Sequence, residues 1–408
     1  MVNHTMNTAS ASATPASNRI HSIALRLLGL AACAAVLCGC VTQPPGKPDL
    51  ASVEWRHVSF SDLPGWSDDT LQDAWLPFVT GCSILLARPS TLPIWREPCS
   101  AAVATEPSDT PTTRAFFEHH FNAYEVRGRD GSAEALITGY YEPLLHGSRK
   151  PDERYRYPLY APPDDLFVVD LSTPYPELSD KRLRGRVDGR RVVPYWPRAD
   201  IDSGKVPISA RELVYVDNVL DAFFLQVQGS GRVELADGSI VRLGYADQNG
   251  WPYRSIGKVL VERGELKLEQ VSLQSIRLWA QAHPQEVPAL LAENPSYVFF
   301  REVLLDPLAG IDGPIGTLGV PLQAGRAIAV DARFITLGAP VYIATTQPIS
   351  GQPLERLMLA QDTGGAIRGP LRADWFWGFG SEAEREAGQM KQAGRMWLLW
   401  PKGTAPPG

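Results

Sequence analysis

The sequence predicts a mainly β protein with a small closed barrel towards its C-terminus and only a few helices. Proline and glycine, 35 residues each in a chain of 408, exceed ordinary usage and follow no period, as in a chain divided into short strands and loops. From Ser296 onward, apolar runs of strand length recur at 297–300, 326–331, 341–345, 356–361 and 396–400. One helical pattern interrupts them, with Ser381 and Glu384 spaced as a capping box and Gly394 just past its end. Several short strands with one helix suggest a small closed barrel.

The stretch from Leu359 to Gly378 organises this region. It holds two carboxylates, Asp362 and Asp374, separated by the Gly364-Gly365 turn and followed by Trp375-Phe376-Trp377. Apolar strands feed it from both sides. Carboxylates held by a sheet beside aromatic rings suit sugar-cleaving chemistry, in which an acid protonates the glycosidic oxygen and flat rings stack on sugar faces.

The first residues read as a targeting segment. Arg19 and Arg26 flank or precede an apolar run, Leu27 to Leu37, which has signal-sequence length and is too short for the ~20 residues of a membrane span. It ends in Leu37-Cys38-Gly39-Cys40, which resembles a bacterial lipobox with Cys40 as the lipidated residue. Val41 next to it is compatible with sorting to the outer membrane. Residues 1–39 are therefore read as a lipoprotein signal peptide and 40–50 as a linker from the anchor. The expected mature chain carries 37 basic and 45 acidic residues, net −8, which argues against nucleic acid as a partner. Two cysteines remain, Cys82 and Cys99, an even number in an oxidising compartment; they are either disulfide-bonded or two separate buried thiols.

In chain order, Ser67-Asp-Asp-Thr opens a helical pattern with Leu71, Trp75 and Phe78 on one face. Thr113 is placed to cap a second helix carrying Phe116, Phe117, Phe121 and Tyr124. His119 and His120 lie in it, but adjacent helical residues diverge by about 100° and do not chelate one metal together. Ala135 to Pro143 reads as a strand into a turn, and its Thr138, Tyr140 and Tyr141 offer hydrogen bonds and stacking to a sugar. Residues 146–200 read as short strands and loops. Ala222 to Val233 reads as a buried strand whose Gln226 and Gln228, followed by Gly229-Ser230-Gly231, make a polar groove floor. The Gly-Ser-Gly lacks the lysine and spacing of a phosphate loop. Asp237-Gly238 marks a hairpin turn. Pro252–Gly264 and Ser272–His283 read as helices. Nothing in the pattern calls for a cofactor or a metal.

Seven segments appear in one order: Thr-Gly-Tyr-Tyr-Glu-Pro (138–143), Phe-Leu-Gln-Val-Gln-Gly-Ser-Gly-Arg (224–232), Asn-Gly-Trp-Pro-Tyr-Arg-Ser-Ile-Gly-Lys (249–258), Asn-Pro-Ser-Tyr-Val-Phe-Phe-Arg (294–301), Gly-Val-Pro-Leu (319–322), Ala-Val-Asp (329–331) and Gln-Asp-Thr-Gly-Gly-Ala-Ile (361–367). Together they resemble the membrane-bound lytic murein transglycosylase A family. The resemblance implies a double-psi β-barrel assembled from residues 51–145 and 301–402, with a large β-rich domain inserted at 146–300. It implies peptidoglycan glycan strands as substrate and an outer-membrane lipoprotein facing the periplasm, with murein-synthesis or cell-wall complexes as further partners. It also implies that Asp374 is the single catalytic acid/base, Asp362 a supporting carboxylate and Asp331 structural, with Thr138, Tyr140, Tyr141, Gln226, Gln228, Ser230, Trp375 and Trp377 binding substrate. For one acid to serve, Asp374 must stay protonated near neutrality, and desolvation by Trp375 and Trp377 or the charge of Asp362 would raise its pKa. A two-aspartate glycoside hydrolase and a non-catalytic, expansin-like glycan binder remain as alternatives.

Overall fold

The computed structural model describes residues 53–105, 107, 109–178, 183–304 and 310–407. Cys40, the signal segment and the linker 40–50 lie outside the described residues.

Strand β1 (Val53–Val58) is followed by a 3-10 turn at Leu71–Ala74 and by helices α1 (Trp75–Ala87), α2 (Leu92–Val103) and α3 (Thr110–His120). The pattern opened at Ser67 thus becomes helical only from Leu71. Helix α2 is absent from the sequence reading because Pro93 and Pro98 interrupt its pattern. Helix α3 is capped by Asp109, whose carboxylate accepts the Thr112 N–H at 2.8 Å, rather than by Thr113, which lies inside the helix. Phe121 and Tyr124 are not on this helix. They belong to β2 (Phe121–Gly128), since a dense aromatic run fits either period. Cys82 of α1 and Cys99 of α2 form a disulfide, with Cα atoms 5.2 Å apart.

Strand β3 (Ala135–Glu142) leads directly into β4 (Leu144–Ser148), β5 (Tyr157–Tyr160), β6 (Phe167–Val168), β7 (Arg184–Asp188), β8 (Arg191–Pro194), helix α4 (Arg198–Asp202) and β9 (Glu212–Val216). Next come α5 (Val219–Gln228), β10 (Ser230–Leu235), β11 (Ile240–Gln248), α6 (Ile256–Glu262), α7 (Leu273–Ala282), α8 (Val287–Ala292) and β12 (Val298–Glu302). They form a sheet ordered β12-β11-β10-β4-β9-β5 and a small sheet β6-β7-β8. Residues 222–228, expected as strand, are helix α5. The carboxamide of Asn218 caps it at Leu220 N, 2.9 Å, and Gly229 ends it at φ 80°. Its apolar residues Leu220, Phe223 and Phe224 recur at i, i+3 and i+4, and the strand begins only after the glycine stop.

The chain then returns to the first sheet with β13 (Ala327–Val330), β14 (Pro340–Thr346), β15 (Pro353–Asp362), β16 (Arg372–Phe379), α9 (Gly380–Gln389) and β17 (Lys391–Pro401). Strands β17, β14, β15, β13, β16 and β3 pair in that order, and β3 pairs again with β17, so six strands close a ring. The fold is mainly β, as expected. Strands β2 and β1 extend it beyond β17. Ile137, Ile328, Val330, Met358, Ala373, Trp375 and Leu398 share one hydrophobic core with the helices α1–α3. Strand β16 was not among the expected strands. Helix α9 has no capping box: its N-cap is Phe379, without a side-chain cap bond. Gly394 lies within β17 instead, where a Cβ would come within 2.9 Å of Ile137 and 3.0 Å of Ala344 O, so a bare backbone lets the barrel close.

Candidate active site

The register of three strands builds the site. Asp374 of β16 lies opposite Thr138 of parallel β3 on one side and Ala329 of antiparallel β13 on the other. Asp362, the last residue of β15, flanks Ala329 from the opposite side. The Cα atoms of the two aspartates are thus two strand spacings apart, about 10 Å. Side chains alternate along a strand, so Arg372, Asp374 and Phe376 share a face with Thr138 and Tyr140. The rings of Tyr140 and Phe376 pack at 5.1 Å.

The flanking tryptophans therefore point away from Asp374, and the sequence-based placement of both beside it is corrected. Trp375 is 1% exposed in the core, and Trp377 donates its indole N–H to Met390 Sδ at 3.2 Å. Trp377 packs over Gly139, where a Cβ would meet its ring at 2.9 Å. Tyr141 is likewise turned inward, buried with Ala383 and Ala387 of α9.

Asp374 keeps a fifth of its side chain exposed. Its Oδ1 accepts from the Thr138 hydroxyl and lies 2.9 Å from Arg372 Nη1. Burial pushes the Asp374 carboxyl above the ordinary range against the opposing charge of Arg372, and the negative charge of Asp362 adds to the rise. Asp362 is raised too, first by burial. Its Oδ1 accepts the Thr317 N–H and hydroxyl at 2.9 and 2.8 Å, and its Oδ2 the Tyr140 hydroxyl at 3.3 Å, all of which favour the anion. The Tyr140 phenol is held well above its usual pKa, by burial and then by both aspartates, so it remains a donor. Asp331 stands apart: its carboxylate takes Arg333 Nε and Nη2 at 2.8 and 2.6 Å and Gly369 N at 2.8 Å.

Beside this face, a cleft of about 180 Å³ lies between barrel and insert, lined among others by Phe376, Phe379, Glu142, Arg232 and Asp312. Arg232 of β10 crosses it to Glu142 of β3 at 2.8 Å and to Asp312 at 3.1 Å, and stacks over the Phe379 ring at 3.9 Å.

Of the residues expected to bind substrate, Thr138 and Tyr140 join the aspartates. Gln226 does not form a groove floor. It is buried, and its Oε1 accepts from Arg198 Nη2 at 2.6 Å and Val298 N at 3.1 Å. Gln228 ends α5 and accepts the Tyr141 N–H at 3.2 Å, and Ser230 opens β10. The sequence reading missed Arg372 and Thr317. Arg372 was readable in principle, two residues before Asp374 on a strand. Thr317 is 45 residues from Asp362 and carried no local signal. Among the described residues, no group of three or more His, Cys, Asp or Glu is arranged to hold a metal, and no helix is long and apolar enough to cross a membrane.

A family model described as the MltA specific insert domain matches residues 136–301, and one described as the 3D domain matches 326–400. The chain is 33% identical over 294 residues to membrane-bound lytic murein transglycosylase A of Escherichia coli K12, covering 70% of this chain and 71% of that one. A crystal structure of MltA from Neisseria gonorrhoeae superposes with a TM-score of 0.76 at 36% identity, over 89% of this chain and 97% of that one. A structure of E. coli MltA with bound chitohexaose matches with a TM-score of 0.60 at 28% identity, over 90% of this chain and 94% of that one. Fold and relatives together define a peptidoglycan-cleaving enzyme, a lytic transglycosylase. The chain belongs to the membrane-bound lytic murein transglycosylase A family.

Proposed function

We propose that the enzyme cleaves the β-1,4 bond between N-acetylmuramic acid and N-acetylglucosamine and leaves 1,6-anhydromuramic acid ends, with Asp374 as its single acid/base. The observation that carries this reading is the contrast between the two carboxylates. Both oxygens of Asp362 are committed to donors from Thr317 and Tyr140, which leaves it poorly placed to activate water. Only Oδ1 of Asp374 is so engaged among the described residues, which leaves its Oδ2 without a protein donor, while burial favours the neutral form of both acids. A hydrolase needs two working carboxylates, one for the leaving oxygen and one for water or the anomeric carbon. A lytic transglycosylase needs one.

In this reaction Asp374 gives its proton to the glycosidic oxygen as the C1–O bond breaks. The C6 hydroxyl of the same muramoyl residue attacks C1, and the Asp374 carboxylate takes the hydroxyl proton. One bond is exchanged for another, no water is consumed and the acid is regenerated. The internal nucleophile has a high effective molarity, so the protein need only hold the sugar in place. The cleft between barrel and insert supports a glycan-binding role, as does the chitohexaose found in the E. coli relative.

Mass spectrometry of products from purified glycan strands tests the reading. Each product chain should end in an anhydro sugar one water lighter than a hydrolysed end. Asp374→Asn should lose at least the ~10²–10⁴-fold typical of acid–base catalysis. Asp362→Asn should lose less. Ordinary reducing ends would establish the hydrolase, and a nearly active Asp374→Asn would remove Asp374 from the chemistry.

A further inference from the structure

We infer that Arg372 and Thr138 are positioning residues for this reaction, holding Asp374 so that its exchangeable proton sits on Oδ2. The inference rests on the reading of Asp374 as the acid and goes beyond it by assigning the oxygen that reacts and the groups that select it. Arg372 Nη1 donates to Thr138 Oγ1 at 2.7 Å and lies 2.9 Å from Asp374 Oδ1. Thr138 has a single hydroxyl proton and, accepting from Arg372, directs it to the same Oδ1. Arginine has no acceptor and does not deprotonate in proteins. Oδ1 thus faces two donors and takes the carbonyl role, and the acid proton is left to Oδ2. Among the described residues no protein donor occupies Oδ2.

The arrangement rests on three elements. Arg372 and Asp374 are i, i+2 on β16, and Thr138 is the register partner of Asp374 on β3. Ala329 faces them from β13 and carries no titrating group. The titratable and charged groups around Asp374 are Arg372 on β16, Tyr140 on β3, Asp362 on β15 and, one strand beyond Thr138, its register partner Lys391 on β17. The Arg372 side chain is only 18% exposed, so its charge acts on Asp374 with little screening. When the proton leaves Oδ2, that charge offsets the new anion while Thr138 keeps the carboxylate from rotating. One oxygen then gives the proton and takes it back, which requires the bridging oxygen and the C6 hydroxyl to reach the same point in turn.

The test is the pH dependence of kcat for anhydromuropeptide release from purified glycan strands by the full-length enzyme. Removing a neighbouring cation raises a carboxyl pKa, so in Arg372→Gln the alkaline limb, where the acid form is lost, should move up by about one pH unit or more. Arg372→Lys should keep the limb nearer wild type. Thr138→Val should lower kcat about tenfold or more with KM little changed, as for a lost hydrogen bond to a charged group, and Thr138→Ser should restore most of it. A wild-type alkaline limb in Arg372→Gln, or a wild-type kcat in Thr138→Val, overturns the inference. If Thr138→Val unfolds, as judged by its melting temperature, the Arg372→Gln limb alone decides. Asp374→Asn in the same assay separates the two levels. If it stays active, the acid reading itself fails. If it is inactive while the Arg372 and Thr138 variants behave as wild type, only the positioning role fails.

Discussion

Asp331, Asp362 and Asp374 are the same side chain in three environments, and the environment sets what each can do. Burial raises Asp362 and Asp374. Asp331 is also penalised by burial, but the Arg333 guanidinium and the Gly369 N–H outweigh it and hold its carboxyl below the ordinary range. A carboxyl lowered on folding contributes stability above its unfolded pKa, and that contribution is lost as pH falls through the folded value. Asp331→Asn should therefore destabilise the protein at pH 7, and the deficit should shrink as the pH falls below about 4, where the wild-type carboxylate is itself protonated. Urea unfolding of both proteins at neutral and acid pH measures this. An equal deficit at both would mean that packing, rather than the ion pair, is what Asp331 supplies.

At the scale of elements, a buried ion pair adds to the shared core in tying the barrel to the segment that leads into its N-terminal helices. Arg326, just before β13, meets Asp69, just before the 3-10 turn, through two bonds of 3.0 and 2.8 Å. Asp69 also accepts the Leu357 N–H of β15 at 2.7 Å, so one carboxylate locks the turn to two strands. Both side chains are nearly inaccessible to water, 1% and 2% exposed. Breaking such a pair leaves a buried charge without its partner and costs about 3–5 kcal/mol. Asp69→Ala should lose that much in urea unfolding, and Asp69→Ala combined with Arg326→Met should lose less than Asp69→Ala alone. A single-variant loss below about 1 kcal/mol would put the pair in the class of exposed salt bridges.

At the scale of the molecule, the insert is held against the barrel by charged contacts on two sides. Arg232 reaches Glu142 and Asp312 at the cleft, and Arg277 of α7 bridges Asp221 of α5 at 2.7 Å and Glu384 of α9 at 3.0 Å. Arg232 and Glu142 are buried ends of that system. The molecule is further expected to be tethered. The Leu37-Cys38-Gly39-Cys40 segment motivates lipidation at Cys40, and the described residues contain no helix able to span a membrane. Cys40→Ala should move the protein from the membrane to the soluble fraction after cell fractionation. Unchanged membrane recovery would mean that the chain is retained by something other than this lipid.

The sequence by itself determined the mainly β class and most of the C-terminal strands, because their apolar runs are short, bounded by turn residues and buried over much of their length. It also singled out Asp362 and Asp374, which stand in an unusual setting of Gly-Gly turn and aromatics and which the fold brings to either side of Ala329. What it left undecided was direction. Trp375 and Trp377 are next to Asp374 in the chain, but the two-residue alternation of β16 turns them to the opposite face, and that strand was not legible among its aromatics. Gln226 looked like a groove residue because a short apolar run fits a helix or a strand, and the helix buries it against Arg198. Thr138 and Thr317 gain their relation to the aspartates only when β3, β16 and the loop before β13 are brought together across 236 and 45 residues. Periodicity reports which residues are buried; closure of the barrel decides which of the remaining ones meet.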